Sequence, residues 1–437
     1  MVPLLMLVVA FGHFNRIGIS VAGSERIIPE YGIKPDRMGM IYSAFLLFYT
    51  LAMIPGGWLI DRFGARAALI ALGLGSTLFV AGTGSVGYAA TEANAVWLGL
   101  LVMRSLLGLF NAPLHPASAR MVFERVPAPS RAFSNGLVTF AACVGMSAAF
   151  YVFGTMIDVF DWPTAFIIAS GMTLAVTGVW TFASRPSREA RIEASAKARP
   201  IHDPKALKRV LLSKSVVCIT LSYAAYGYFQ YLFFYWINYY FDEIQHEERG
   251  VARGYSTLIT MAMGIGMASG GWVADRVPAS YPPRLRRAIV PVVGMIGGGI
   301  LFELGLLGPN ANVTLVAFSL AAGLIGACEG TFWTSVVELG GRFGGTSAGL
   351  MNMGGNAGGT LSPTLTPLLA GIFAKQYGPD LGWRLSLAIA GGIVIAGAAL
   401  WWGIDEKPDD GEKAEVLNFV GVGSPESIAS EPSPSLL

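Results

Sequence analysis

The sequence predicts an all-α membrane protein, with twelve transmembrane helices in two pseudo-symmetric six-helix bundles. Three observations carry that reading. Of 437 residues, 53% are hydrophobic and only 13% charged, about half the charged share of an average soluble domain. Twelve apolar runs are each long enough to cross a bilayer. A seven-residue motif that begins at Gly56 begins again at Gly270, 214 residues later, at the same place relative to the runs.

Composition constrains the chain first. With a mean hydropathy of +0.55, it carries more apolar surface than a soluble core of this size can hide, so lipid must solvate most of it. The net charge of +2 is too small, and the basic residues too dispersed, for a nucleic-acid partner. Cys143, Cys218 and Cys328 all fall inside apolar stretches and read as small buried apolar side chains. No disulfide framework, metal site or other cofactor is expected.

A helix needs roughly 20 apolar residues to cross a hydrocarbon core of about 30 Å. The qualifying runs are 2–22, 38–60, 67–88, 95–118, 132–156, 162–183, 214–241, 252–274, 288–308, 313–337, 346–373 and 383–404. The first contains His13, Asn15 and Arg16, which the core of a signal peptide would not tolerate, so it reads as a membrane helix. Placing both termini in the cytoplasm gives the inner loops and tails 21 Lys and Arg and the outer loops seven. The opposite topology would invert that bias, against the positive-inside rule. The expected location is the inner (plasma) membrane. The basic segment 184–213 separates bundle 1–183 from bundle 214–404, and the charged, Ser- and Pro-rich tail 405–437 is expected to be disordered.

The repeat supports the same division. Gly56-Gly57-Trp58-Leu59-Ile60-Asp61-Arg62 follows the second run and Gly270-Gly271-Trp272-Val273-Ala274-Asp275-Arg276 the eighth; Gly136 pairs with Gly349 and Gly145 with Gly358 at nearly the same offset. Two other patterns are set aside. Gly82 to Gly87 fits a dinucleotide fingerprint, and Gly345 to Gly349 a hydrolase elbow. Neither follows a strand, so neither has its working context.

Gly57-Trp58-Leu59-Ile60-Asp61-Arg62-Phe63-Gly64-Ala65-Arg66 resembles the loop signature of the major facilitator superfamily. The resemblance implies twelve helices in two related halves, rocking about a central substrate site. A physical reading stands beside it: Gly57 permits close helix contact, while Asp61, Arg62 and Arg66, with Asp275 and Arg276 in the second copy, can bridge neighbouring helix ends in one conformation and release them in another. Within that superfamily the chain is similar to the anion:cation symporter family of sugar-acid and organic-anion carriers. The similarity lies in Asn15 to Ala22, in Arg104 to Pro113 with Pro116-Ala117, and in Glu329 to Trp333 continuing through Gly349, Asn352 and Gly354 to Gly359. It implies that Arg16 binds the substrate carboxylate. Proton-coupled members often carry acids where this chain has Asn15 and Asn111, which places their usual proton route in doubt.

The residues support these roles independently. A cation inside a bilayer costs at least about 2.5–3.5 kcal/mol on insertion scales and is presumed functional. The guanidinium of Arg16 can clasp a carboxylate through two parallel hydrogen bonds. Arg104, Gly108, Asn111 and His115 share one face of the fourth run, a polar stripe that calls for a partner helix or water. Arg104 is expected to act as a structural partner or in coupling. Glu329, mid-span in the tenth run, is the expected intramembrane proton carrier or else a fixed counter-ion to an arginine. His13 and His115 are secondary proton candidates. On the aromatic seventh run Tyr226 and Gln230 lie one turn apart, as Asn352 and Asn356 do on the eleventh, and all four are expected to line the site and bond substrate hydroxyls.

The expected activity is therefore import of a small organic anion, a sugar acid before an aromatic acid, with a co-transported proton or sodium ion. An uncoupled facilitator or exchanger is the alternative. Neither enzyme chemistry nor sensing is expected, because no clustered nucleophile, metal-ligand spacing or output domain is present in the sequence.

Overall fold

The computed structural model describes residues 1–127, 131–184, 204–278 and 280–404. Residues 185–203 of the basic linker and the whole tail 405–437 lie outside the described residues. The long helices are α1 (Val2–Tyr31), α2 (Pro35–Leu51 and Met53–Phe63), α3 (Ala65–Ala89), α4 (Ala93–Arg125), α5 (Ser134–Phe160) and α6 (Trp162–Ala183). They continue with α7 (Lys214–Ile244), α8 (Arg249–Ala274), α9 (Arg284–Leu306), α10 (Ala311–Gly340), α11 (Gly344–Tyr377) and α12 (Pro379–Gly403). A short helix, Pro204–Leu211, precedes α7.

Ten of these helices are long and apolar enough to cross a membrane, and the bent α2 makes an eleventh. Only α11 departs from that standard. Its 34 residues exceed the required length, but Gly, Asn, Ser and Thr dilute its hydropathy. The chain is thus a multi-pass membrane protein, with α11 in the place of the eleventh expected span. The bend of 46° in α2 follows from Pro55, which has no N–H to offer the carbonyl one turn back. Helix α11 stays continuous through Pro363 and Pro367. The carbonyl of Pro363, left without a donor by Pro367, accepts instead from the Trp236 indole at 3.0 Å.

The sequence repeat is also a packing repeat. Gly145 of α5 presses on the carbonyl of Ala10 in α1, and Gly358 of α11 presses on that of Ala224 in α7; a side chain at either glycine would collide with that oxygen. Between them these contacts tie α1 to α5 and α7 to α11, equivalent pairs in the two sets of six. The helix starts repeat as well: Asp161 before α6 (φ 67°, ψ 168°) and Gly378 before α12 (φ 86°, ψ 164°) share one backbone conformation. Where helices have no hydrophobic drive to associate, such close backbone approach supplies the dispersion contacts that hold them.

Contacts that join the first six helices to the last six run from one end of the molecule past its middle. They begin at the end where α1 finishes, here the distal end, with Glu25 of α1 against Arg253 of α8. Further in are Ser43 of α2 on the Thr360 carbonyl of α11 at 2.6 Å, and Thr257 of α8 on the Ser147 carbonyl of α5 at 3.2 Å. Near the middle lie Arg16 against Tyr231 and Cys143 against Met267. Toward the opposite, proximal end, where the Asp61 and Asp275 turns sit, Asn352 of α11 donates to Met53 Sδ of α2 at 3.8 Å. Gly358→Val should lower the unfolding temperature of purified protein, at a cost of about 1–3 kcal/mol for overpacking, and Gly145→Val should match it, as read by fluorescence-detected thermal unfolding.

Candidate functional site

The middle of the molecule is organised around two arginines from the first set of helices. Arg104 of α4 is fully buried and donates to the backbone carbonyls of Asn15 at 3.1 Å and Arg16 at 2.7 Å. Its charge is spent on α1 itself, fixing the turn that carries Arg16.

Arg16, 7% exposed, points from α1 toward the second set of helices. One terminal nitrogen donates to the Tyr231 hydroxyl of α7 at 2.5 Å. Its guanidinium lies 5.0, 5.5 and 4.8 Å from the ring centres of Phe45, Tyr49 and Tyr231. Aromatic faces stabilise a cation without neutralising it. Neither Arg16 nor Arg104 makes an ion pair among the described residues, and Arg16 Nε has no hydrogen-bond partner. A buried guanidinium in this condition retains both its full positive charge and spare donor capacity.

The chain of hydrogen bonds continues from Tyr231, whose hydroxyl donates to Asn356 Oδ1 at 3.2 Å. Asn356 in turn donates to the backbone and side-chain oxygens of Asn352 at 2.9 and 3.2 Å. Arg16, Asn352 and Asn356, chosen separately from the sequence, therefore form one network across the two sets of helices. Tyr231, the residue that joins them, is not distinguished by sequence from the other aromatics of α7. It lies one position beyond Gln230, a step that turns a helical side chain by about 100°.

A second group forms around Glu329 of α10. Its Oε1 accepts from Tyr223 at 2.7 Å and from the Trp333 indole at 2.8 Å, while Oε2 is buried without a partner. No arginine or lysine pairs with it among the described residues, so the expected alternative of a fixed counter-ion has no partner there. Tyr226 stacks on Tyr223 with ring centres 5.2 Å apart, and Gln230 donates to the Tyr226 hydroxyl at 3.2 Å. Tyr226 and Gln230 thus sit beside Glu329 rather than beside Arg16.

The polar stripe on α4 serves several partners. Asn111 donates to Ser76 of α3 at 3.1 Å and to its own helix at 2.9 Å. Asn15 likewise donates to Thr173 of α6 at 2.7 Å. Both amides are thus engaged within the first set of helices. His115 meets His13 of α1 at 3.4 Å between Nε2 atoms, and His13 Nδ1 lies 3.0 Å from the Val9 carbonyl. Because that carbonyl can only accept, Nδ1 holds the hydrogen, and a neutral His13 presents Nε2 as an acceptor to its partner. The pair sits one helical turn from Arg16 on the proximal side.

Of the six residues expected to hold helix ends, the side chains of Asp61 and Asp275 lie outside the described residues. Gly57 has open space around it. Arg62 lies over the Trp58 and Phe63 rings, and Arg276 over Trp272, each on its own helix. Arg66 reaches α6, donating to the Thr181 carbonyl at 2.6 Å and to Ser184 at 3.1 Å.

Known proteins share this architecture. The chain is 25% identical to a probable sulfoacetate transporter of Cupriavidus necator over 361 residues, covering 80% of this chain and 82% of that one. It is 27% identical to a hexuronate transporter of Bacillus subtilis over 328 residues, covering 72% and 75%. The crystal structure of a bacterial homolog to the human lysosomal transporter Spinster, in an inward-facing and occupied conformation, superposes with a TM-score of 0.71 at 17% identity, covering 92% and 95%. The sequence profile of the Major Facilitator Superfamily matches residues 5–363, and the chain belongs to that superfamily of membrane transporters.

Proposed function

We propose that this transporter imports a small organic anion, a sugar acid in particular, by alternating access with a co-transported cation, most simply a proton. One observation carries the reading: the buried Arg16 guanidinium has no carboxylate partner among the described residues and has spare donor capacity. Desolvating a cation is tolerated where an anion arrives to complete it. A substrate carboxylate supplies that charge, and the amides of Asn352 and Asn356 are in place for its hydroxyls. The named substrates of the two relatives, one a sulfonated acid and the other a sugar acid, agree with this chemistry. The bias of 21 inner against seven outer basic residues supports cytoplasmic termini in the inner membrane.

The membrane potential sets the energetic need. At −100 mV, bringing in one negative charge costs about 2.3 kcal/mol, and one accompanying proton cancels that term. Glu329 is the group assigned to carry it, held at one oxygen by Tyr223 and Trp333, with no hydrogen-bond partner for the other among the described residues. The His13–His115 pair, one turn from Arg16, is the second candidate. The two asparagines, already committed to structural bonds, favour the rival reading of an uncoupled exchanger or facilitator. Uptake into vesicles with an imposed and then a collapsed proton gradient separates the two, because only a symporter concentrates substrate.

In reconstituted vesicles supplied with hexuronate, Arg16→Lys should weaken uptake about 10- to 100-fold, since charge-assisted hydrogen bonds are worth about 1.5–3 kcal/mol and lysine cannot grip both carboxylate oxygens. Normal uptake in that variant would remove Arg16 from the binding role. Glu329→Gln should abolish accumulation driven by a pH gradient while leaving exchange of preloaded substrate intact; accumulation at the native level would free Glu329 of its coupling role. Tyr231→Phe, which deletes the hydroxyl between Arg16 and Asn356, should raise the half-saturating concentration roughly tenfold, about one charge-assisted hydrogen bond, with little change in maximal rate.

A further inference from the structure

The most heavily charged contact between the two sets of helices lies away from the central site. At the distal end Arg253 of α8 bridges two carboxylates of the other set. It pairs with Glu25 of α1 through both terminal and inner nitrogens, Nε to Oε1 at 2.9 Å, and with Asp158 of α5, including Nη2 to Oδ1 at 3.0 Å. The side chains of Arg253 and Glu25 are 5% and 0% exposed, against 46% for Asp158. Asn238 of α7 donates to the same Glu25 oxygen and to Ser24, each at 3.1 Å. Arg26 stands 3.6 Å from Asp158 and 3.9 Å from Glu30, and Arg249 stands 4.0 Å from Asp242, so further charges surround the cluster.

The backbone is shaped for this contact. Each helix that brings a residue from α1, α5 or α7 departs from α-helical winding beside it, with π-turns at Gly23–Ile27, Ala149–Phe153 and Tyr240–Ile244. Such wide turns are rare and concentrate at functional positions. The first contains Glu25, the second ends just before Gly154, and the third follows Asn238. Gly154 is the floor on which Arg253 lies, for a Cβ there would collide with the guanidinium and its Cδ. Asp158 stands one turn further along α5. Every bond of Arg253 to a side chain therefore crosses the boundary that must part if the distal end is to open.

We infer that Arg253, Glu25, Asp158 and the Gly154 seat form the distal gate of the transport cycle, a charge clamp that holds this end shut in the conformation described here. A buried pair resists parting because each charge would be stranded unless water reaches it. The half-exposed Asp158 contact is the part water reaches first, and the dry Glu25 contact is the part that decides closure. Nothing in this inference depends on the substrate assigned to the central site.

The test reads the gate without any substrate. Spin labels are placed on Thr91→Cys and Pro309→Cys, both exposed in distal loops of opposite sets, in a background lacking Cys143, Cys218 and Cys328. Pulsed electron resonance in lipid nanodiscs then gives the distance distribution. Glu25→Gln and Arg253→Gln should raise the long-distance population roughly tenfold or more, as expected for loss of a buried ion pair, and Asp158→Asn should raise it less. Gly154→Ala, which keeps every charge and only lifts the arginine from its seat, should also raise it. If Arg253→Gln does not fold, Glu25→Gln and Gly154→Ala decide alone. Distributions that superpose on the native one in these variants would overturn the assignment.

Discussion

A guanidinium buried in a membrane protein, without a carboxylate partner among the described residues, is the constraint around which this structure is arranged. Arg16 is kept in place by backbone and aromatic groups instead of an opposite charge. Arg104 holds the α1 carbonyls beneath it, Phe45, Tyr49 and Tyr231 present their ring faces, and the Tyr231 hydroxyl takes one hydrogen bond. Each of these partners lowers the cost of burial while leaving the charge uncancelled.

The same logic separates the middle of the protein from its distal end. There Arg253 is answered by two carboxylates, through four hydrogen bonds. The two arginines thus differ in their company: among the described residues Arg16 has no carboxylate partner and Arg253 has two. Packing within each set relies on close backbone approach, as at Gly145 on Ala10 and Gly358 on Ala224. Rocking of two such sets moves charges apart at one end while bringing the other end together.

Much of the site was legible one residue at a time. Arg16, Glu329, Asn352 and Asn356 stood out because polar groups in apolar spans are expensive and seldom idle. What periodicity missed was their connection. Tyr231 is one of many aromatics on α7, and no feature of its neighbours distinguishes it from the lipid-facing or packing members of that run. Tyr226 and Gln230, chosen on spacing, turned out to attend Glu329, because the rotation of α7 about its axis is set by contact with α10 and α11. Glu25, Asp158 and Arg253 escaped notice altogether: each sits near the end of a span, where a charge ordinarily reaches water and carries no signal.

By itself the sequence determined the class of fold, the membrane setting, the internal duplication and the presence of isolated charges within spans, because these follow from local hydrophobicity and from matching positions along the chain. Only the tertiary structure decided which charges are answered and which are left open. That outcome depends on how residues some 215 to 228 positions apart meet, as Arg16 meets Tyr231 and Glu25 meets Arg253. No local pattern encodes such a meeting. It emerges when helix rotation, π-turns and glycine contacts set the angle at which each side chain crosses the seam.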